Sequence, residues 1–139
     1  MTPEQISLVQ RSWSQVLPIA DEAAALFYGR LFLLDATLRP LFKSDLEHQG
    51  RKLTQTITTV VRSLDRLERV APAIAALGRR HTGYGVLDRH YDTVGEALLW
   101  TLEQGLGAAW SAELAAAWTA AYGTLAGVMR AAAAQAAAA

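Results

Sequence analysis

Apolar residues return every three or four positions along almost the whole chain, and this period restricts it to helices packed against helices. Ile6, Val9, Trp13, Val16 and Leu17 mark a first helix. Thr2, Pro3 and Gln5 open it with a hydroxyl cap, a proline at the first helical position and a side chain that reaches back. Pro18 ends it. A second helix runs from about Asp21 to Leu34, with Ala23, Leu26, Phe27, Leu31 and Leu34 inward and Tyr28 on the flank of that stripe. Asp35 caps a short third one, Ala36 to Phe42, kept brief by Pro40. The polar residues 43 to 50 turn into a long helix marked by Leu53, Ile57, Val60, Val61 and Leu64. A shorter helix from about Pro72 to the neighbourhood of His81 is broken by Gly83 and Gly85. Asp88 or Arg89 starts the next, which carries Tyr91, Val94, Leu98, Leu102 and Leu106 and stops at Gly107. Ser111 caps the last, whose stripe is Leu114, Trp118, Tyr122, Leu125 and Met129.

Composition agrees with an all-α reading, since alanine, leucine, arginine, glutamine and glutamate far outnumber the β-branched residues that strands favour. The 139 residues suit one domain, 1–139, in which 131–139 form an alanine-rich tail. Lysine plus arginine balances aspartate plus glutamate at 13 each, so no nucleic acid and no anionic membrane is expected as a partner. The absence of cysteine removes disulfides, iron–sulfur clusters and thiol catalysis. Met1 to Gln5 lack the layout of a secretory signal, and charges interrupt every long apolar stretch, so a cytoplasmic location is expected.

One residue stands out for chemistry. His81 follows Leu77 by one helical turn, an arrangement in which a single imidazole can hold a haem iron while its other nitrogen donates to the Leu77 carbonyl. The alternative is a histidine satisfied at the edge of a core. A haem pocket also needs apolar walls, an aromatic wedge and polar groups on the face opposite the ligand. Phe42, at the end of the short third helix, is the candidate wedge. Gln49 and Leu53 lie four apart and share a face. Helical phase favours Gln49 over His48, because the residue one turn after His48 is Lys52, whereas Gln49 is followed by Leu53, Thr56, Ile57 and Val60. Lys52 then stands at the pocket edge, where its ammonium can meet a propionate. His90 reads as a surface residue or a propionate contact. Without cysteine, any haem is held non-covalently.

Several segments together resemble the bacterial single-domain globins, relatives of the haem domains of flavohaemoglobins. They are Leu26-Phe27-Tyr28-Gly29-Arg30-Leu31-Phe32, Arg39-Pro40-Leu41-Phe42, Gln49-Gly50-Arg51-Lys52-Leu53, His81 with Gly85-Val86 and His90-Tyr91, and Trp118-Thr119-Ala120-Ala121-Tyr122-Gly123. The resemblance implies a globin fold, a 3-on-3 helical sandwich around a haem pocket, with haem b (iron protoporphyrin IX) as cofactor. It implies His81 as iron ligand, Tyr28 as distal tyrosine, Phe42 as wedge, Gln49 and Leu53 as the distal pair and Tyr91 as the proximal tyrosine. Leu77, Val86 and Val94 are then expected on the pocket wall.

The function implied is reversible binding of diatomic gases (O2, CO, NO) at a five-coordinate ferrous iron, with high oxygen affinity from Tyr28 and Gln49. A phenol or amide donor favours a ligand that takes on negative charge over neutral carbon monoxide. A nitric oxide dioxygenase fed by a separate reductase is the alternative, since no Gly-x-Gly-x-x-Gly motif is present. A haem-free signalling domain of the same shape is a second. The nitric-oxide-consuming relatives look as though they pair the proximal tyrosine with a last-helix glutamate; here that helix has no acid after Glu113 and reads alanine at 131–134. This weakens the dioxygenase reading. A monomer or weak homodimer is expected.

Overall fold

Thr2 caps the first helix as its sequence dictates. In the computed structural model, which describes residues 1–43 and 45–138, α1 spans Pro3–Val16 and Thr2 and Gln5 satisfy each other's backbone N–H groups in a capping box. Ser44 of the expected polar turn and Ala139 of the expected tail lie outside the described residues. A 3-10 turn, Leu17–Ile19, absorbs Pro18 and leads into α2, Ala20–Leu34. Asp35 accepts the N–H of Thr37 and opens a second 3-10 segment, Ala36–Leu41. Then come α3 (Leu46–Arg62), a 3-10 segment (Leu64–Arg69), α4 (Ala71–Gly83), α5 (Asp88–Leu106) and α6 (Ala112–Ala138). The all-α expectation holds. Gly85, at φ +93°, and Gly107, at φ +54°, turn the chain after α4 and α5 in a backbone region that side chains disfavour.

Two boundaries and one helix face differ from the periodic reading. Asp45 caps α3 by accepting the Glu47 N–H, so residues 46–50 are helical and not part of a turn. Leu64 belongs to the 3-10 segment after α3, which breaks at Arg66, where the backbone leaves helical geometry. Leu26 and Leu34, expected inward, stand exposed, because α2 is apolar around most of its circumference and periodicity cannot say which side faces out.

The helices cross in pairs. α6 lies along α4 and α1, while α2 lies along α5 and α3. Three crossings use a glycine where a Cβ would be crowded, Gly95 against the Tyr122 ring at 2.8 Å among them. A Cβ at Gly78 would meet the Met129 carbonyl at 2.6 Å, which sets α4 directly on α6, and a Cβ at Gly50 would meet Ala24 Cβ at 3.0 Å, which sets α3 on α2. Val9, Val16, Leu31 and Leu102 are almost wholly closed off, each contributing roughly 1.5–3 kcal/mol of transfer free energy. Trp13 and Trp118 meet edge to face at 6.0 Å, and the buried Trp118 Nε1–H donates to Ser12 Oγ at 2.9 Å. No helix among the described residues is long and apolar enough to cross a membrane.

Candidate functional site

His81 sits in the last turn of α4, half-buried. A carbonyl oxygen can only accept, so its 2.8 Å contact with Leu77 O places the imidazole proton on Nδ1 and leaves the Nε2 lone pair available as a ligand. Burial pushes this histidine below its ordinary pKa, the hydrogen bond to Leu77 pulls the other way, and Arg80 adds to the lowering. A neutral ring with one fixed tautomer follows. The turn beyond it is tied back, since the Val86 N–H donates to the His81 carbonyl at 3.1 Å.

On α2, Tyr28 is buried, not flanking. Its ring meets Phe42 edge-on at 5.4 Å and stacks with Phe32 at 6.1 Å, and Phe32 meets Phe42 at 5.4 Å. Burial alone raises the phenol to about 12, so at neutral pH it stays protonated and can donate. The Gly50 crossing draws α3 against this ring: the Cβ that Gly50 lacks would stand 3.8 Å from Tyr28 Cε2. Gln49, the preceding residue, is half-buried, whereas His48 and Lys52 are exposed. Leu53 joins the cluster that holds Tyr28, Phe42 and Val94, and it also touches the cluster that holds Leu77, Val86 and Tyr91. Tyr28, Phe42, Leu53 and Val94 therefore belong to one apolar group and Leu77, Val86 and Tyr91 to an adjoining one, while His81, Gln49 and Lys52 belong to neither.

At the start of α5, Tyr91 is buried, and its hydroxyl is without a hydrogen-bond partner among the described residues. Burial raises its pKa, against the pull of Arg130. From α6, Tyr122 donates to the Tyr91 carbonyl, and the Arg130 guanidinium lies 5.3 Å from the Tyr91 ring centre. Arg130 also reaches Asp92 Oδ1 and the Asp88 carbonyl, each at 2.9 Å. α6 thus presents a cation here and no carboxylate. His90 is buried rather than on the surface: its Nδ1 accepts the Leu87 N–H at 2.9 Å, and its Nε2 faces Asp35 at 3.9 Å. Sequence reading missed the Arg130 clamp, although two aspartates four apart at the head of a helix signal a cation across from them.

Phe42, Leu53, Leu77, Val86 and Val94 pack against the two apolar groups, yet each keeps partial exposure. α3 is packed mainly on α2 and α4 mainly on α6, with no extended contact between α3 and α4. Apolar side chains left open beside one free imidazole nitrogen fit a flat apolar cofactor that carries an iron, and a haem is such a group. A separate enclosed cavity of about 20 Å³, lined by Val60, Leu64, Ile74, Ala121 and Val128 among others, lies elsewhere and has room only for something the size of a water molecule.

The globin family profile matches residues 25–129. Among curated proteins, the chain is similar to the flavohemoprotein of Vibrio cholerae (28% identity over 135 residues, 92% of this chain and 33% of the relative). It is likewise similar to that of Deinococcus radiodurans (28% over 132 residues, 93% of this chain and 33% of the relative). The chain spans about a third of the length of these relatives. Among solved structures, it superposes on an engineered carbene transferase from Rhodothermus marinus, provisionally classed as a nitric oxide dioxygenase, with a TM-score of 0.90 and 28% identity over 99% of this chain and 96% of that one. A bacterial globin from Campylobacter jejuni superposes with a TM-score of 0.85 at 23% identity, over 96% of this chain and 97% of that one, which speaks to the fold.

Proposed function

Because the chain belongs to the globin family, of bacterial type and all-α fold, we propose that it holds haem b through His81 and binds diatomic gases reversibly, oxygen foremost. The observation that carries this reading is the His81 ring itself, with its proton committed to Leu77 O and its Nε2 lone pair left for a ligand. Phe42, Leu53, Leu77, Val86 and Val94 would grip the porphyrin faces, and Lys52 would meet a propionate at the exposed rim. When bound, the haem supplies a ferrous centre that takes a diatomic ligand.

The chain's own residues then set selectivity. Tyr28, protonated at neutral pH, donates to a ligand that gathers negative charge, and Gln49 offers a second polar group from the neighbouring helix. Carbon monoxide gains little from either. Leu53 and Phe42 keep bulk water away from that side. The imidazole, hydrogen-bonded to a neutral carbonyl, stays a neutral ligand and is not pushed toward imidazolate.

The experiment is direct. Wild-type protein mixed with haemin is expected to gain a Soret band and a five-coordinate ferrous spectrum; His81→Gly abolishes axial ligation, and added imidazole restores it. A protein that stays colourless with haemin would favour the haem-free signalling reading and end this one.

A second reading, nitric oxide dioxygenase served by a separate reductase, draws support from the likeness to the Rhodothermus protein. The cation at Arg130 weighs against it, since a carboxylate is what would strengthen the donor character of the proximal side. Nitrate formed per haem with a competent reductase separates the two: many turnovers support the enzyme, and one turnover leaves the gas binder.

A further inference from the structure

Seven large apolar side chains stand exposed among the described residues, and four of them, Ile19, Leu26, Leu33 and Leu34, lie on α2 or at its N-cap. Leu33 is 74% exposed and Leu26 42%. Other helices put polar residues outward: α3 presents Glu47, Arg51, Gln55 and Arg62. Solvent is a poor neighbour for such an apolar helix face, and clustered exposure of this kind marks a surface that meets another apolar surface.

The order of residues along the face says what that surface is. At 3.6 residues per turn, Glu22, Leu26, Gly29, Arg30 and Leu33 fall within about 100° of arc. Pairing this face antiparallel with a copy of itself about Leu26 sets Leu33 near Ile19 at the N-cap and Arg30 near Glu22, each twice, as two-fold symmetry requires. All the pairs are apolar on apolar or cation on anion. Gly29 has open space where a Cβ would stand, and Ala25 beside it is small and exposed, so two helix backbones can approach closely there. The guanidinium of Arg30, resting 4.9 Å from the Trp100 ring centre, is held at the edge of the face where a partner's Glu22 would arrive.

We propose that the outer face of α2 is an isologous interface between two copies of this chain. One helix pair buries less than a standard interface, so the dimer is weak, with dissociation on the order of micromolar. Its back is Phe27 and Tyr28, so pairing stiffens the helix that carries the buried phenol.

Sedimentation of the full chain between about 1 and 500 µM tests it. The expected result is a dimer that forms with concentration, with Leu33→Glu raising the dissociation constant about tenfold or more. Glu22→Arg and Arg30→Glu each weaken pairing, and the double swap restores it, since each copy then offers the reversed pair. Because the chain has no cysteine, Leu26→Cys reports the axis: a short bis-maleimide links it into covalent dimers faster than it links Leu87→Cys. A monomer at every concentration overturns the proposal. So does a dimer indifferent to Leu33→Glu and to the charge swap, or a complex that forms only when a reductase is added. Helical circular dichroism of each variant separates lost pairing from lost folding.

Discussion

His81 donates its Nδ1 proton to the carbonyl of Leu77, 2.8 Å away and one turn earlier on the same helix. Burial holds this imidazole below its ordinary pKa of 6.5, so the unfolded chain takes up a proton at position 81 before the folded one does. Its contribution to stability is complete above that ordinary value and is lost as pH falls through the lower folded one. In the haem-free protein, urea midpoints should decline as pH drops from about 6.5 toward 4, and His81→Gln should flatten part of that decline. Equal slopes for the two proteins would contradict the burial described for this ring.

Gly78 carries no side chain because the Met129 backbone occupies the space, at 2.6 Å from where a Cβ would stand. Neither backbone can yield as a flexible side chain would. Gly78→Ala should cost about 2–4 kcal/mol in denaturant melts and weaken haem retention, because α4 would have to lift from α6. Gly83→Ala, with open space around it, should be nearly neutral.

Tyr28 is a buried phenol whose ring meets Phe42. In the haem-loaded protein, Tyr28→Phe should speed oxygen dissociation about 10- to 100-fold and alter carbon monoxide release far less, as stopped-flow mixing would show. Similar effects on both gases would mean the mutation changed access and not hydrogen bonding.

The same phenol makes an alkaline prediction. With its pKa raised to about 12 from the ordinary 10.0, the neutral form it needs is secure below pH 10 and is lost as pH rises toward 12. Ultraviolet difference titration should find tyrosines that ionise late, since burial raises Tyr122 further still, and Tyr28→Phe should remove one tyrosine's share of that late phase.

Trp118 donates to Ser12 in a fully buried contact of 2.9 Å between α6 and α1. Ser12→Ala strands the indole N–H away from water and should cost about 1–3 kcal/mol by thermal or chemical unfolding. Loss of less than a few tenths would show that the indole finds another acceptor.

Much of this was legible in order and spacing. Caps at Thr2, Asp35 and Ser111 and stops at Gly85 and Gly107 are local signals, read from a few residues each, and the structure repeats them, although α4 runs through Gly83, the other expected breaker. The choice of Gln49 over His48 rests on helical phase; Gln49 is half-buried and His48 exposed. What escaped is non-local. The apolar circumference of α2 gave no clue to which side would face out, so Leu26 and Leu34 were assigned inward. His90 looks polar and exposed in a list of residues, but its burial depends on Leu87 and Asp35, one of them more than fifty positions away. The Arg130 clamp likewise joins α6 to α5 across a distance that no periodicity measures.

The contact of Gly78 with Met129 has a mechanical meaning. The helix that presents the imidazole leans on a single long neighbour, and does so through main chain, where there is no slack. A slide or tilt of that neighbour would be felt first at Gly78, one turn before position 81. The grip on a bound iron would be adjusted from the far end of the chain, by whatever steadies or disturbs α6.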